Sequence, residues 1–496
     1  MSRLNRRSFL KSSIAGVGIA ALTPYSRVRG ANNDIRVAVV GFNGMGKSHI
    51  NAYRRIAGVR IVALCDVDTR VLDWGKQDFA KRHEKVDTYV DYRKLLEDKD
   101  IDAVSIVTPN HWHSLMGIWA CQAGKDATVE KPVSHTIFEG RQLAQASRKY
   151  RRMVQGDFDQ RSRESMHEAV QWIKAGHLGQ IRLARGRCYK NRPSLGRVNG
   201  PGPVPTSVDY NLWTGPAPLL PLKRKKLHYD WHWVWATGCG ELGNNGPHQL
   251  DVCRWVLGQD DLPARVFSIG GRFGYDDDGE TANTQFIYYD YQPAPIIYEV
   301  RGLPPKRGAS GKTMDLFQPL TQSGAELKSS YRGSGANTGV VVECEDGYVD
   351  MGGPTAYDYH GNVVKQFTGA NIGPQANFIK AVRSRKHSDL RNDILDGHLS
   401  TALSHMGNIS HRIGKRTNPA DILDTISANK EMVEVYQRFK RHLAANEVDL
   451  EETPATLGPM LTMDSSTERF TGAFSTEANM LLARNYRRPF VVPKSI

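Results

Sequence analysis

Lys131 stands between Glu130 and Pro132 at the end of a short apolar run, Ala127 to Val129. A strand-end lysine whose backbone is fixed by the next proline can be aimed into a cleft and there exchange a proton with a bound hydroxyl. Ninety residues upstream, Gly41-Phe42-Asn43-Gly44-Met45-Gly46 separates the apolar run Ile35 to Val40 from a segment that reads as a helix beginning near Lys47. A second apolar run, Val59 to Cys65, ends on Asp66. Glycines let a chain turn tightly and bring backbone N–H groups and the positive end of a helix against a pyrophosphate. Asp66, twenty residues past Gly46, can accept from both hydroxyls of an adenosine ribose and would repel a 2′-phosphate, which favours NAD over NADP. Alcohol oxidation by hydride transfer needs a group to take the hydroxyl proton. A partly desolvated lysine beside a positively charged nicotinamide is expected to release its own proton more readily and to serve.

A further chemically loaded stretch is Tyr229-Asp230-Trp231-His232-Trp233-Val234-Trp235, followed by the glycine-bearing segment Gly238 to Gly246 and then Pro247-His248-Gln249-Leu250-Asp251. Sugars offer C–H faces that stack on aromatic rings and hydroxyls that pair with His, Asn and Asp. The cluster suits a carbohydrate cleft, with His232 and Trp233 as candidate contacts and one or two of the tryptophans used in packing. Gly238 to Gly246 reads as a loop, and the amphipathic helix after it runs through Trp255.

These residues must be held by elements that the pattern also shows. Ile101 to Val107 is a buried strand ending in Thr108-Pro109-Asn110-His111-Trp112-His113, and a helix follows it through Ile118 to Gln122. Ala127 to Val129 is the next strand, and its helix carries Ile137, Leu143 and Ala146. Strands alternating with amphipathic helices predict a doubly wound parallel sheet, in which ligands bind beyond the carboxyl ends of the strands. The glycine turn, the Thr-Pro-Asn turn and Glu-Lys-Pro all fall there. A second domain starts after Gln155, with a helix over Arg161 to Ala175 and a strand over Ile181 to Tyr189. Pro193 to Pro221 reads as a long loop of the kind used for lids and binding edges. Gln285 to Tyr289 and Ile296 to Arg301 read as strands, Val340 to Glu343 and Tyr348 to Met351 as a hairpin, and Leu395 to Ile413 as a long helix with His398 and His405 on one face. Glu447 to Ile496 reads as a tail wrapped on the surface.

Composition fits a globular chain: 496 residues, 40% hydrophobic and 24% charged, enough for two or three domains. The formal charge of +14 suggests nucleic acid, yet six basic residues and no acid lie in the first 30, and without them the balance falls to +8. No nucleic-acid partner is expected. That first segment, Asn5-Arg6-Arg7-Ser8-Phe9-Leu10-Lys11 with a short apolar run after it, resembles a twin-arginine export signal over residues 1–31. It implies engagement of the twin-arginine machinery, passage across the membrane in the folded state and a periplasmic or otherwise exported protein. A dinucleotide carried out this way must be held tightly or regenerated in place. The six cysteines form no C-x-x-C pair, and neither a disulfide nor a metal site is expected.

The ordered set of Gly-Phe-Asn-Gly-Met-Gly with His49 behind it, Thr108-Pro109-Asn110 with His113, and Glu130-Lys131-Pro132 resembles the Gfo/Idh/MocA oxidoreductases, the family of glucose–fructose oxidoreductase and inositol dehydrogenase. The resemblance implies a Rossmann domain over residues 32–155 and an α+β domain over residues 156–445 with a large, mostly antiparallel open sheet that also builds a dimer or tetramer. The tail is 446–496. It adds Thr108, Asn110, His113 and Glu130 to the cofactor contacts, makes Lys131 the acid/base, and places His248 at substrate or in proton transfer. Lys190 and Arg192 fall where the first strand of the second sheet would meet substrate. In the family an acid stands four residues before that histidine, where this chain has Asn244; an amide cannot act as a base, which leaves the proton to Lys131 alone or with His248. Two enzymatic readings follow, an exported NAD-dependent sugar or polyol oxidoreductase and a redox-neutral glycosidase or lyase acting by transient oxidation. A binding protein that lost its chemistry is a third, opposed by the intact Lys131.

Overall fold

Apolar residues follow one another with few interruptions from Ile35 to Val40 and from Val59 to Cys65, and both runs are parallel strands at the centre of a sheet, buried on both faces. The computed structural model describes residues 34–304 and 338–496; the export-signal reading of residues 1–31 lies outside the described residues. The first domain runs β1 (Ile35–Val40), α1 (Gly46–Arg54), β2 (Val59–Cys65), α2 (Thr69–Lys81), β3 (Asp87–Tyr89), α3 (Tyr92–Glu97), β4 (Ala103–Ile106), α4 (His113–Gln122), β5 (Asp126–Glu130), α5 (Ile137–Lys149) and β6 (Val154–Asp157). The strands pair in parallel in the order β3-β2-β1-β4-β5-β6. The order reverses between β1 and β4, which opens a crevice at their carboxyl ends. The last strand extends to Asp157, two residues beyond the expected end of the domain, and its terminal carboxylate sits beside the site.

The second domain packs helices against one large sheet. Its elements include α6 (Glu164–Lys174), β7 (Ile181–Cys188), α7 (Tyr210–Thr214), α8 (Gly240–Leu257), β8 (Arg265–Gly271), β9 (Thr284–Asp290), β10 (Ile296–Arg301), β11 (Thr338–Cys344), β12 (Gly347–Asp350), β13 (Thr355–Asp358) and β14 (Val363–Gln366). They are followed by α9 (Pro374–Ser384), α10 (Ile394–Arg412), β15 (Lys415–Thr417), α11 (Pro419–Ile426), α12 (Lys430–Ala445), β16 (Ala455–Leu457), β17 (Leu461–Asp464) and β18 (Arg469–Thr471). The sheet runs β14-β13-β12-β11-β7-β10-β9-β8-β16-β15, antiparallel except where β7 meets β10. α8 and α10 cover one face, burying Leu242, Leu250, Val256, Leu403 and Met406 in the main core.

Two expectations are corrected here. Gly238 to Gly246 is not a loop: α8 begins at Gly240 and takes in all but its first two residues. Glycine is a poor helix former, but a Cβ at Gly246 would lie 2.9 Å from Ser404 Oγ on α10, so close helix packing outweighs propensity. Nor is the C-terminal segment a surface wrapping. β16 and β17 pair with β8, and Phe490 and Val492 are buried with Trp112 in the core of the first domain. Strands of three or four residues between prolines carry too little period to be read from sequence.

Candidate functional site

The turn after β1 is built for close approach. Gly41 has φ +77°, and a Cβ on it would stand 2.9 Å from the backbone of Thr108; a Cβ on Gly46 would meet the Gly41 carbonyl oxygen at 2.2 Å. Gly44 has no atom within 4 Å of where its Cβ would be, so the turn is open on the outer side where a phosphate must come. At the end of β2, Asp66 accepts from the N–H of Phe42 (3.1 Å) and of Asp68 (3.0 Å). Burial pushes its carboxyl up to about 6 in spite of those two donors. A cavity of 410 Å³ begins at this turn and Asp66, passes Thr108 and His113, and reaches Glu130, Lys131 and Asn244. Open backbone donors, a buried acid and an amine thus lie along one groove, and the residues fit a dinucleotide.

At the far end Lys131 Nζ donates to the main-chain oxygen of Asn244 at 2.9 Å and to its Oδ1 at 3.3 Å. The backbone N–H of Lys131 donates to Glu130 Oε2 (3.1 Å), and Glu130 Oε1 shares a hydrogen bond with His49 Nε2 (3.1 Å). His49 also meets Ser105 Oγ at 2.8 Å and Asp157 Oδ2 at 3.3 Å. Burial opposes charge on this imidazole, but the Asp157 and Glu130 carboxylates raise it above its usual range. Burial likewise works against Glu130, yet the hydrogen bond and charge of His49, with Lys131 beyond, hold its carboxyl down to about 2. Asp157 is pushed up by burial and takes a 2.7 Å hydrogen bond from Gln375 Nε2. His49, Glu130 and Asp157 bring ligand atoms within 4.8 Å of one another; the hydrogen bonds just described account for those atoms without a cation. The base of Lys131 is therefore tied to a buried ion pair, while its amine lines the groove and is held there by Asn244.

Asn244 is oriented from behind. Its Nδ2 points to Glu241 Oε2 at 3.4 Å, and Glu241 is gripped by Arg192 through Nε and Nη2, both at 2.9 Å. Glu241 also accepts from Asn245, whose Oδ1 accepts from Lys190 Nζ at 3.0 Å. Lys190 and Arg192 are thus committed to this scaffold and do not line the main cavity. His248, one turn past Asn244, faces a separate 70 Å³ pocket with Gln160, Arg163 and Gln249; burial and the Lys131 charge lower it to about 4.

Two expected contacts turn elsewhere. Asn110 is buried with its Nδ2 3.6 Å from Cys239 Sγ and does not line the cavity. Trp233 is buried, and the cavity wall is instead made by Tyr229, Trp231 and His232, with Trp231 stacked on His232 at 3.6 Å. The physical reason is the 3₁₀ turn Asp230–Trp233: positions three apart share a side, so Asp230 and Trp233 both point inward and the two residues between them point out. His113 works as a clamp, its ring nitrogens 2.6 Å from the carbonyl oxygens of Thr108 and Pro132.

A strap from the second domain closes the adenosine side. Leu212, Trp213 and His228 line the cavity there. Residues 207–209 cross the β2–α2 loop, with Thr69 N donating to Ser207 O (2.9 Å) and Asp209 N to Val67 O (3.0 Å). His228 Nε2 is paired with buried Asp68 at 3.1 Å. From the C-terminal segment Arg487 donates to Asn211 O at 2.7 Å and to Gly215 O at 3.1 Å. Most of the strap lies within Pro193 to Pro221, the loop expected as a lid or binding edge; its partners could not be read beforehand, because none is close to it in sequence.

Comparison with known proteins agrees with this architecture. Residues 35–158 match the model of the Gfo/Idh/MocA oxidoreductase family's NAD-binding Rossmann fold, and residues 190–297 match that of its C-terminal alpha/beta domain. Over each of these two segments the chain is similar to the Gfo/Idh/MocA oxidoreductases. Relatives within reach of sequence include a glycosyl hydrolase family 109 protein of Shewanella sp. (strain ANA-3), 34% identical over 163 residues, 28% of this chain and 36% of that one. An inositol 2-dehydrogenase of Salmonella paratyphi B is 29% identical over 157 residues, 31% of this chain and 46% of the other. The match thus spans between a third and a half of the length of these relatives. Among solved structures, the WlbA dehydrogenase of Bordetella pertussis, in complex with NADH and UDP-GlcNAcA, superposes with a TM-score of 0.54 at 17% identity, covering 76% of this chain and 97% of that one. This likeness is one of fold.

Proposed function

We propose that this protein is an NAD-dependent enzyme of the Gfo/Idh/MocA type, acting on a CH–OH group of a carbohydrate or polyol, with Lys131 as general acid/base. The observation that carries the reading is the Lys131 amine, which faces the groove and is steadied by two oxygens of Asn244. The turn Gly41–Met45 would hold the pyrophosphate and Asp66 the adenosine ribose. NAD, when bound, supplies the acceptor for a hydride leaving the hydroxyl-bearing carbon. Lys131 takes the hydroxyl proton and returns it in the reverse direction, which is worth about 10²–10⁴ in rate. Trp231 and His232 offer a stacking face and a neutral imidazole to the sugar; burial lowers His232 to about 4. Lys190 and Arg192 are committed to the Glu241–Asn245 scaffold outside this cavity and offer no charge to the substrate.

The strap over the adenosine end favours a second reading, in which the cofactor stays bound and is regenerated within each turnover. Transient oxidation at one carbon acidifies its neighbour, an aglycone leaves, and the ketone is reduced again. Asn244 in place of an acid is compatible with this. Twin-arginine export through residues 1–31 and assembly into a homo-oligomer belong to the same proposal. Export is tested by fractionating cells that carry Arg6→Lys with Arg7→Lys, and assembly by light scattering of the purified protein.

The deciding experiment uses protein purified without added nucleotide. It is incubated with free sugars and with aryl glycosides while absorbance of the reduced nicotinamide and of released aglycone is followed. A lasting change in the reduced band supports net oxidation, and aglycone release without one supports the redox-neutral course. Lys131→Met should abolish either signal and leave nucleotide content unchanged; equal turnover by that variant would remove the proposal.

A further inference from the structure

Three histidines line the main cavity, His113, His228 and His232. Two of them are committed. His113 has both ring nitrogens 2.6 Å from carbonyl oxygens, and His228 holds Asp68 through Nε2 at the adenosine end. His232 differs. Its Nδ1 lies 2.6 Å from the carbonyl oxygen of Tyr229, which can only accept, so the neutral ring carries its proton on Nδ1 and its lone pair on Nε2. That Nε2 has no protein partner among the described residues and is open to solvent. The ring is also fixed in orientation, since it stacks on Trp231 with centroids 3.6 Å apart and planes inclined by 19°. Burial, with the charge of Lys131 beside it, lowers this imidazole to about 4, so that it is a free base at neutral pH.

The redox-neutral course needs two proton transfers of different kinds, and Lys131 can serve only one. Its amine takes the hydroxyl proton as hydride leaves the carbon, and as an ammonium it cannot accept a second proton from the neighbouring carbon. Bonding in the sugar settles where that second proton lies. An aglycone on C1 leaves readily only when it is β to the carbonyl, so the ketone forms at C3 and the acidified proton is the one on C2. A second base must therefore stand in the same cavity, and His232 is the cavity histidine near Lys131 with a ring nitrogen to spare.

We infer that His232 is the catalytic base for the C2 proton, an assignment that rests on the redox-neutral reading of the Lys131 site. Nε2 takes the proton, the electrons of the C2–H bond form a double bond between C1 and C2, and the C1–O bond breaks toward the aglycone oxygen, which receives the proton from Nε2. Water then adds to C1 and gives a proton to Nε2, which returns it to C2. C3 regains its hydride, and its oxygen the proton held by Lys131. The sum is hydrolysis, with both side chains restored. A base of about 4 is weak, but such a base removes a proton next to a carbonyl where a donor stabilises the enolate oxygen. The Lys131 ammonium, held in place by Asn244, is that donor.

The test supplies the ketone ready-made, so that no hydride transfer is needed. The full-length protein is given 4-nitrophenyl 3-keto-glucosides and 3-keto-galactosides of both anomeric forms, and release of 4-nitrophenol is read above the spontaneous rate. Methyl 3-keto-glucosides in heavy water, which hold their poor leaving group, report deuterium entering C2 by NMR. The wild type is expected to do both, and His232→Gln to lose about a hundredfold or more in each, with melting and nucleotide content unchanged. Added imidazole should restore release to His232→Ala, because a diffusible base can replace a catalytic one but not a packing or binding residue. The inference is overturned if the wild type releases nothing from any of these ketones, or if His232→Gln releases and exchanges as fast as the wild type. Loss in His232→Gln with the ketones, when the parent glycosides are inert even to the wild type, would count against the hydride step at Lys131 and leave the His232 assignment standing. Parent glycosides hydrolysed equally by the wild type and His232→Gln would remove the assignment and leave the Lys131 reading standing.

Discussion

Lys131 and Asn244 meet across the domain boundary through two oxygens of one residue, the carbonyl at 2.9 Å and Oδ1 at 3.3 Å. An uncharged acceptor pair fixes where the amine points without adding the electrostatic pull of a carboxylate. Asn244→Asp should place a negative charge at the amine, favour its ammonium form and move the acid-side limb of the pH–rate profile for oxidation to higher pH. Asn244→Ala keeps the main-chain acceptor and should cost only about 0.5–1.5 kcal/mol in kcat/KM. An unchanged pH profile in Asn244→Asp would show that the side chain does not govern the proton transfer.

Asp66 makes a prediction in which binding and stability move in opposite directions. Its folded value of about 6 lies above the ordinary 3.8, so the folded state holds the proton more tightly than the unfolded one. For a raised acid the favourable contribution is full below pH 3.8, declines between 3.8 and about 6, and is absent above, leaving a cost of order 3 kcal/mol at neutral pH. Asp66→Asn should therefore raise the melting temperature of the nucleotide-free protein at pH 7 while weakening NAD binding. NAD affinity of the wild type should also fall as pH drops below about 6, which titration at pH 5 and pH 7 would reveal.

The strap gives a kinetic prediction. His228 and Arg487 hold it over the β2–α2 loop, so His228→Ala and Arg487→Ala should accelerate release of bound NAD with little effect on the rate of a single turnover. Stopped-flow displacement of a fluorescent NAD analogue would measure this. Release rates matching the wild type in both variants would show that the strap is not what retains the cofactor.

Trp231 and Trp233 are neighbours but two residues apart, with opposite fates. Trp231→Ala should raise KM for sugar by roughly 1–2 kcal/mol equivalent and barely alter melting. Trp233→Ala empties a buried site and should destabilise the fold by about 3–5 kcal/mol. Thermal melts beside steady-state kinetics would separate the two.

Much of the first domain is legible from the chain because its signals are local. Near-continuous apolar runs in β1 and β2, a period near 3.6 in the helices and glycines at a tight turn are each decided within about ten residues. Asp66, Lys131 and the Gly41–Met45 turn are found this way, and all line the cavity. Asn110 and Trp233 were misplaced because a motif gives a residue's position along the chain and not the side to which it points. The glycines of α8 misled because helix propensity is a weak preference and packing on α10 overrode it.

The sequence alone determined the alternation of strands and helices, the crevice at the carboxyl ends of β1 and β4, and a lysine at its edge, since backbone sterics and hydrophobic period act over a turn or two. The tertiary structure decided what that lysine touches, what covers the cofactor groove, and that the last fifty residues complete a sheet and a core. Those outcomes rest on contacts between residues as far apart as Lys131 and Asn244 or Arg487 and Asn211. Such pairings form only once both partners are anchored by their own elements, and no short window of sequence contains both.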